Sequence, residues 1–169
     1  GHAKIVSPIT PTKRNAPVRI DYGTHLEAIA ARVRAMATGV EPLVETGYTE
    51  DAELVVVAYG TPGRYVRYTV GKLREQGLRI GFVRPITLWP FPSEQLAAAT
   101  ANARAIAVYE LNTGQMYDDV RLAVRHLPVH FIGAMSFDNS GFGIAPAMGV
   151  NALEERIRST FDQMEKVAS

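Results

Sequence analysis

Glu110 is a residue of this sequence that could take part in catalysis or binding. It is an acid at the end of an apolar run, and Asn112 and Gln115 follow it closely. A carboxylate in that position could act as a general base or could pair with Arg84 across the edge of a sheet. Equally, Asn112 and Gln115 could cap the next helix, because their side-chain oxygens can accept the free N–H groups at a helix start. Capping and a ligand role both remain open from the residues alone.

A second candidate site is a small-anion site at Thr61, Gly63 and Arg64, completed by Arg84 from the next apolar run. Free backbone N–H groups at a helix start favour anions. The segment lacks the Gly-x-Gly-x-x-Gly fingerprint of dinucleotide binding and the Lys-Ser/Thr pair of a phosphate loop. Thr61 and Pro62 also suit a helix N-cap and first helical position, so a tight turn into a helix is the alternative.

Self-contained catalytic patterns are missing from the sequence. It has no Gly-x-Ser-x-Gly elbow and no His-Glu-x-x-His pair, and His25, His126 and His130 are scattered without ligand spacing. The absence of cysteine excludes disulfides, a thiolate nucleophile and a cysteine-held iron–sulfur cluster within this chain. We therefore predict no catalytic residue and no metal site here.

The charge composition indicates which classes of binding partner are expected. The 169 residues carry 18 basic and 17 acidic side chains, which gives a formal net charge of +1 without a long block of either sign. Nucleic acid and membrane are thus not expected as partners. Without a signal peptide or a long apolar span, a cytoplasmic protein is the default expectation.

The run from Arg84 to Pro92 combines three prolines with the only tryptophan of the chain. Proline removes backbone donors and favours extended neighbours, so we expect a stiff segment that is neither helix nor ladder strand. Trp89 and Phe91 in such a segment suit contact with a partner. They could equally cap the end of a core, because aromatic side chains dominate cores and interfaces alike.

Four apolar runs alternate with amphipathic stretches and predict buried strands: Leu54 to Tyr59, Arg79 to Val83, Ala105 to Leu111, and Val129 to Ile132. Strands that are apolar throughout must be covered on both faces, and strand–helix–strand units require right-handed parallel crossovers. The sequence therefore predicts a three-layer α/β/α fold. A long segment from Gly133 to Gly149, rich in glycine with Met and Phe, suggests a docked loop, although part of it could be an edge strand.

The N-terminal part differs in composition from the rest. Residues 1–23, rich in Pro, Thr and Lys, predict an extended arm or linker, with Gly1 and His2 resembling the remnant of a cleaved expression tag. A helix with one apolar face is predicted to begin near Thr24 and to open the domain of residues 24–169. An arm of this kind suggests that the chain continues into another domain.

Three segments carry a family resemblance: Ala52 to Arg64 (AELVVVAYGTPGR), Gly81 to Pro92 (GFVRPITLWPFP), and Val108 to Met116 (VYELNTGQM) with Asp119-Val120-Arg121. In this order and spacing they resemble the C-terminal domain of the alpha subunit of 2-oxoacid:ferredoxin oxidoreductases, in particular the 2-ketoisovalerate and 2-oxoglutarate types. The resemblance covers about residues 24 to 133.

The resemblance implies a transketolase C-terminal-like fold, with a mostly parallel sheet of about five strands and a possible antiparallel edge strand. It implies a parent enzyme complex that uses thiamine diphosphate, magnesium, iron–sulfur clusters and CoA to decarboxylate a 2-oxoacid oxidatively, with ferredoxin as acceptor. No cofactor is expected on this fragment. The implied partners are the N-terminal domain of the same subunit and the other oxidoreductase subunits.

Our leading hypothesis is a non-catalytic structural and interface domain of that complex. We expect its interface to contain residues from the proline run and from the turn after Glu110, namely Arg84, Trp89, Phe91, Glu110, Asn112, Gln115 and Met116. A small-anion or CoA-binding module, the C-terminal domain of another transketolase-like enzyme, and a free-standing enzyme with Glu110 as base are the alternatives.

Overall fold

The computed structural model describes residues 22–133 and 149–168, which fall into two compact units divided after Glu41. The first unit contains helix α1 (Tyr22–Gly39), which confirms the helix predicted from Thr24 and begins two residues earlier. Most of the predicted N-terminal arm and nearly all of the predicted loop after Gly133 lie outside the described residues.

The second unit alternates strands and helices along the chain. Its elements are β1 (Val44–Gly47), β2 (Leu54–Val57), α2 (Gly60–Glu75), β3 (Ile80–Pro85), α3 (Ser93–Ala99), β4 (Ala105–Glu110), α4 (Gln115–Ala123), β5 (Val129–Gly133) and α5 (Val150–Ala168). All four predicted strands are present. Within the described ranges, no helix is both long enough and apolar enough to cross a membrane.

The strands form one five-stranded sheet in the order β1-β3-β2-β4-β5. Strands β3, β2, β4 and β5 are parallel, and β1 joins β3 antiparallel, with Val44 opposite Pro85 and Gly47 opposite Phe82. The predicted three-layer fold with a mostly parallel sheet and an antiparallel edge strand is confirmed.

Successive side chains of the central strands point to opposite faces, and each face has its own core. On one face Leu54 and Val56 of β2 pack in a cluster with residues of α2 and α5. On the other face Val55 and Val57 pack in a cluster with residues of α3 and α4. Burial of both faces explains why these strands read as continuous apolar runs.

The prediction that Arg84 and Pro85 lie outside a ladder strand is wrong, because both belong to β3 and pair with β1. The N–H of Ile86 donates to Leu43 at 2.9 Å, so the nitrogen of Pro85 points to the opposite side of the strand. Strand β2 has already ended there at Val57, opposite Val83. The missing N–H of Pro85 therefore removes no ladder hydrogen bond.

Helix α2 begins earlier than its sequence signals predicted. Tyr59 is the N-cap, and Thr61 lies inside the first turn, without a side-chain capping bond from Tyr59. Gly60 has a φ of +59°, a left-handed conformation that lets the chain turn into the helix before Thr61 is reached. The predicted left-handed stop at Gly77 is confirmed, with a φ of +86° and its N–H donating to Arg74 at 2.9 Å.

Candidate functional site

The predicted site residues lie at or just after the carboxyl ends of three neighbouring parallel strands, β2, β3 and β4. In open α/β sheets, ligands bind beyond the carboxyl ends of the strands. The local structure differs at each of the three strand ends.

Glu110, the last residue of β4, is buried with 1% of its surface exposed. Its Oε1 accepts the N–H of Met116 and its Oε2 accepts the N–H of Tyr117, each at 2.9 Å. The side-chain amide of Asn112 also donates to Oε1 at 3.2 Å. The carboxylate thus binds the N-terminus of α4, and the alternative of pairing with Arg84 is not what the structure shows.

The turn between β4 and α4 is closed by Asn112. Its Oδ1 accepts the N–H of Gly114 at 2.8 Å and the N–H of Gln115 at 3.2 Å. Gly114 has a φ of +101°, which suits glycine in this tight turn. The capping role considered for Asn112 is present, whereas the side chain of Gln115 remains exposed at the surface.

Of the two aromatic residues in the segment after β3, one packs against the core and the other lies at the surface. Phe91 is half-buried and packs against the cluster that lies under α3 and α4. Trp89 is 52% exposed, and Ile86 and Leu88 in the same run are also exposed. Leu43, which is exposed as well, is joined to this run because its N–H donates to the Thr87 hydroxyl at 3.1 Å. We call the exposed residues Leu43, Ile86, Leu88 and Trp89 the apolar ledge.

Three of the four predicted anion-binding residues, Gly63, Arg64 and Arg84, line an open cleft of about 660 Å³ beside α2. Thr61 is exposed in the first turn of α2 and is not among the lining residues. The side chain of Arg84 crosses close to Gly63, where an added Cβ would lie 2.8 Å from Arg84 Cγ. The same Cβ would lie 2.9 Å from the backbone oxygen of Ala58, so any larger residue at position 63 would force the Arg84 side chain and the backbone near Ala58 to shift.

A carboxylate that the sequence did not reveal already occupies this cleft. Glu45 of β1 accepts Arg84 Nη1 at 2.9 Å and Arg67 Nη1 at 2.8 Å. Its charge partly offsets that of the two arginines, which weakens the attraction of the cleft for a free anion. Sequence reasoning missed Glu45 because its strand is only four residues long and has no apolar pattern.

Tyr109 lies beside Glu110 in β4 but faces the core on the α2 side of the sheet. Burial raises the pKa of its phenol above the ordinary value of 10.0, with a smaller contribution from Tyr65. The hydroxyl is therefore neutral at physiological pH. Among the described residues, no three side chains of the metal-binding types come together to hold an ion.

Comparison with known proteins gives a family match for the central part of the chain. The family model described as pyruvate:ferredoxin oxidoreductase core domain II matches residues 52–139. The 2-oxoglutarate synthase subunit KorA of Methanocaldococcus jannaschii is 33% identical over 121 residues, which are 71% of this chain and 32% of that protein. The ketoisovalerate oxidoreductase subunit VorB of Methanothermobacter thermautotrophicus is 41% identical over 87 residues, which are 51% of this chain and 24% of that protein. The chain thus spans about a quarter to a third of the length of these relatives.

Solved structures share the fold at low sequence identity. A 2-oxoglutarate:ferredoxin oxidoreductase from Magnetococcus marinus, solved with 2-oxoglutarate, coenzyme A and succinyl-CoA bound, matches with a TM-score of 0.65 and 17% identity, over 86% of this chain and 24% of that one. A split-gene transketolase, described as an inactive beta4 tetramer, matches with a TM-score of 0.54 and 15% identity, over 67% of this chain and 39% of that one. The expected likeness to a transketolase domain is confirmed at the level of fold.

Proposed function

Because this chain belongs to the pyruvate:ferredoxin oxidoreductase core domain II family, we propose that it is a non-catalytic structural and interface domain of a 2-oxoacid:ferredoxin oxidoreductase alpha subunit. The parent complex would use thiamine diphosphate, magnesium, iron–sulfur clusters and CoA to convert a 2-oxoacid to an acyl-CoA. Its partners would be the other domain of the subunit, the other subunits and, through the complex, ferredoxin.

The observation that carries this proposal is the apolar ledge at the carboxyl end of the sheet. Exposed apolar residues that gather on one side of a domain favour association, because burying them removes apolar surface from water. The proline-rich backbone beneath Leu88 and Trp89 is already restricted, so little conformational entropy is lost on docking. Trp89 is the residue type that most often contributes strongly to binding energy at interfaces.

The described residues fit a supporting role better than a catalytic one. Both carboxylate oxygens of Glu110 accept backbone N–H groups, which occupies the acid considered as a base. Without cysteine this chain cannot ligate a cluster through thiolates. Because the chain has no cysteine and the described residues bring no three metal-binding side chains together, we propose that the iron–sulfur and magnesium sites of the complex lie in other parts of it.

The proposal is tested with Trp89→Ala in the intact enzyme, expressed with its partner subunits. We expect the affinity between subunits, or between the domains of the alpha subunit, to fall by about 30-fold if Trp89 is a principal contact. Leu122→Ala is the matched control, since Leu122 is a more exposed apolar residue, lies on α4 and is not one of the four ledge residues. Unchanged assembly and turnover with Trp89→Ala would contradict the interface role.

A further inference from the structure

A small notch lies beside the apolar ledge at the carboxyl end of the sheet. Its volume is about 140 Å³, and it is lined by residues from the α2 cap, the proline run and the first turns of α4: Tyr59, Leu88, Phe91, Gln115, Met116 and Asp119. A protein cavity of about 150 Å³ accommodates a molecule the size of benzene. The notch therefore has room for one side chain and is too small for a nucleotide or a coenzyme.

The notch combines apolar walls with one acid. Met116 is buried and Phe91 is half-buried, while Leu88 is 45% exposed at the rim. Asp119 is exposed, and within the described parts of the chain its carboxylate forms neither a hydrogen bond nor an ion pair. Its neighbour Asp118 differs, because its carboxylate lies 4.0 Å from Arg121.

This combination distinguishes between the side chains that could enter. A wholly apolar side chain would cover the Asp119 carboxylate without supplying a partner, and burying an unpaired charge is unfavourable. A lysine or arginine side chain has an apolar stem and a charged end, so one residue matches both parts of the lining. The aromatic rings of Tyr59 and Phe91 can add a cation–π contribution.

We infer that the notch binds a lysine or arginine side chain of a neighbouring polypeptide in the assembled enzyme, with its stem against Leu88 and Met116 and its cation at Asp119. This inference rests on the proposed interface function and specifies the type of partner side chain that the interface recognises. The partner surface that faces the ledge is apolar and carries a basic residue at its edge.

The test uses Asp119→Asn in the intact enzyme, with the dissociation constant between the separated partners as the readout. We expect binding to weaken about tenfold on loss of the charge, and about a hundredfold for Asp119→Lys, which places like charges together. The dependence of affinity on salt should also become shallower in Asp119→Asn, because one attractive pair is lost.

Asp118→Asn is the matched control, since it removes the same charge from the adjacent residue, which does not line the notch. It should change affinity by no more than about twofold, as expected for a peripheral charge. Thermal unfolding of each variant establishes that the domain is folded.

The possible results separate this inference from the proposed function. If Trp89→Ala weakens assembly and Asp119→Asn does not, the interface stands and the basic partner residue is wrong. Equal effects of Asp118→Asn and Asp119→Asn would also overturn the inference, because they would indicate only long-range attraction. If neither Trp89→Ala nor Asp119→Asn changes assembly, both ideas fail.

Discussion

The N–H of Met116, in the first turn of α4, donates to the buried carboxylate of Glu110, the last residue of β4, at 2.9 Å. Tyr117 donates to the second oxygen of the same carboxylate. One acid thereby satisfies two of the four N–H groups that a helix start leaves free, and it lies at the end of the helix dipole that favours negative charge.

We predict that Glu110→Ala destabilises the domain by about 2–3 kcal/mol, because it leaves the buried N–H of Met116 and the partly buried N–H of Tyr117 without an acceptor. Urea unfolding followed by circular dichroism measures the change. Glu94→Ala is the control, since Glu94 is an exposed acid in the first turn of α3. An equal, small effect of both substitutions would show that the Glu110 contacts contribute little to stability.

A second prediction concerns Gly47 in β1, directly opposite Phe82 of β3. A Cβ at position 47 would lie 2.3 Å from Phe82 Cε1, and the buried ring has little room to move. Gly47→Ala should therefore destabilise the domain by about 1–3 kcal/mol, the usual range for an overpacked core. The midpoint of urea unfolding is the measurement.

Gly71 supplies the contrasting control, because nothing lies within 4 Å of a Cβ placed there in the middle of α2. Gly71→Ala should stabilise the domain by about 0.5–1 kcal/mol through the better helix propensity of alanine. Combining Gly47→Ala with Phe82→Leu should recover part of the loss. Additive effects of those two substitutions would mean that the ring contact is not the cause.

A third prediction concerns Arg74, which holds the turn between β1 and β2 from the last turn of α2. Its Nε donates to Ile80 O at 2.7 Å, its Nη2 donates to Tyr48 O at 2.7 Å, and both Nη atoms contact the carboxylate of Asp51. This pairing lowers the pKa of Asp51 below its ordinary value. Lysine keeps the charge but cannot reproduce the planar set of donors.

Arg74→Lys should therefore lower the free energy of unfolding by about 1–2 kcal/mol. Hydrogen exchange should increase in the turn that includes Tyr48 and Asp51. Arg64→Lys, an exposed change in the first turns of the same helix, should leave both measurements unchanged. Retention of full stability by Arg74→Lys would mean that the positive charge alone, and not the planar set of donors, accounts for the stabilisation by Arg74.

A fourth prediction follows from the ion pair between Lys72 of α2 and Glu154 of α5. Lys72 Nζ lies 2.7 Å from Glu154 Oε2. Hydrogen bonding to Lys72 lowers the pKa of Glu154 below 4.5, and the same contact raises the pKa of Lys72 above 10.5. The contribution of Glu154 to stability is therefore present at pH values above its pKa in the unfolded chain, and it is lost as the pH falls through its pKa in the folded protein. The contribution of Lys72 to stability is lost as the pH rises through its pKa in the folded protein.

Glu154→Gln should thus be less stable than the wild type near neutral pH, and the difference should shrink as the pH is lowered from about 7 to about 3. Urea unfolding across this range is the measurement. Glu155→Gln, at the exposed neighbouring position, should show no such convergence. A difference that stays constant with pH would rule out the ion pair as its source.

The sequence predicted those parts of the fold that depend on local pattern. The apolar runs Leu54 to Tyr59 and Ala105 to Leu111 identified the central strands β2 and β4, because both faces of these strands are buried. Strand β1 could not be located, since four residues including Glu45 and Gly47 form a strand only by pairing with β3. Its direction was expected from the family resemblance and not from its residues.

The sequence predicted that the candidate residues lie at the carboxyl ends of the strands, where the structure places them, but it did not predict their contacts. Capping was one of the two roles that the sequence left open for Asn112, and the structure shows its Oδ1 accepting the N–H groups of Gly114 and Gln115. The acid that binds Arg84 could not be chosen from sequence, because Glu45 lies 39 residues earlier and is brought close by the sheet. Asp119 was singled out only as part of the third segment of the family resemblance, since nothing in its neighbourhood along the chain reveals the notch.

The apolar ledge has a consequence for how relatives of this domain can diverge. Ile86, Leu88 and Trp89 belong to neither of the two clusters that fill the faces of the sheet. At the interface that we propose, substitutions at these positions would therefore change which polypeptide is recognised while leaving the free energy of unfolding nearly unchanged. One scaffold of this kind would then serve assemblies with different subunits without changes to its core.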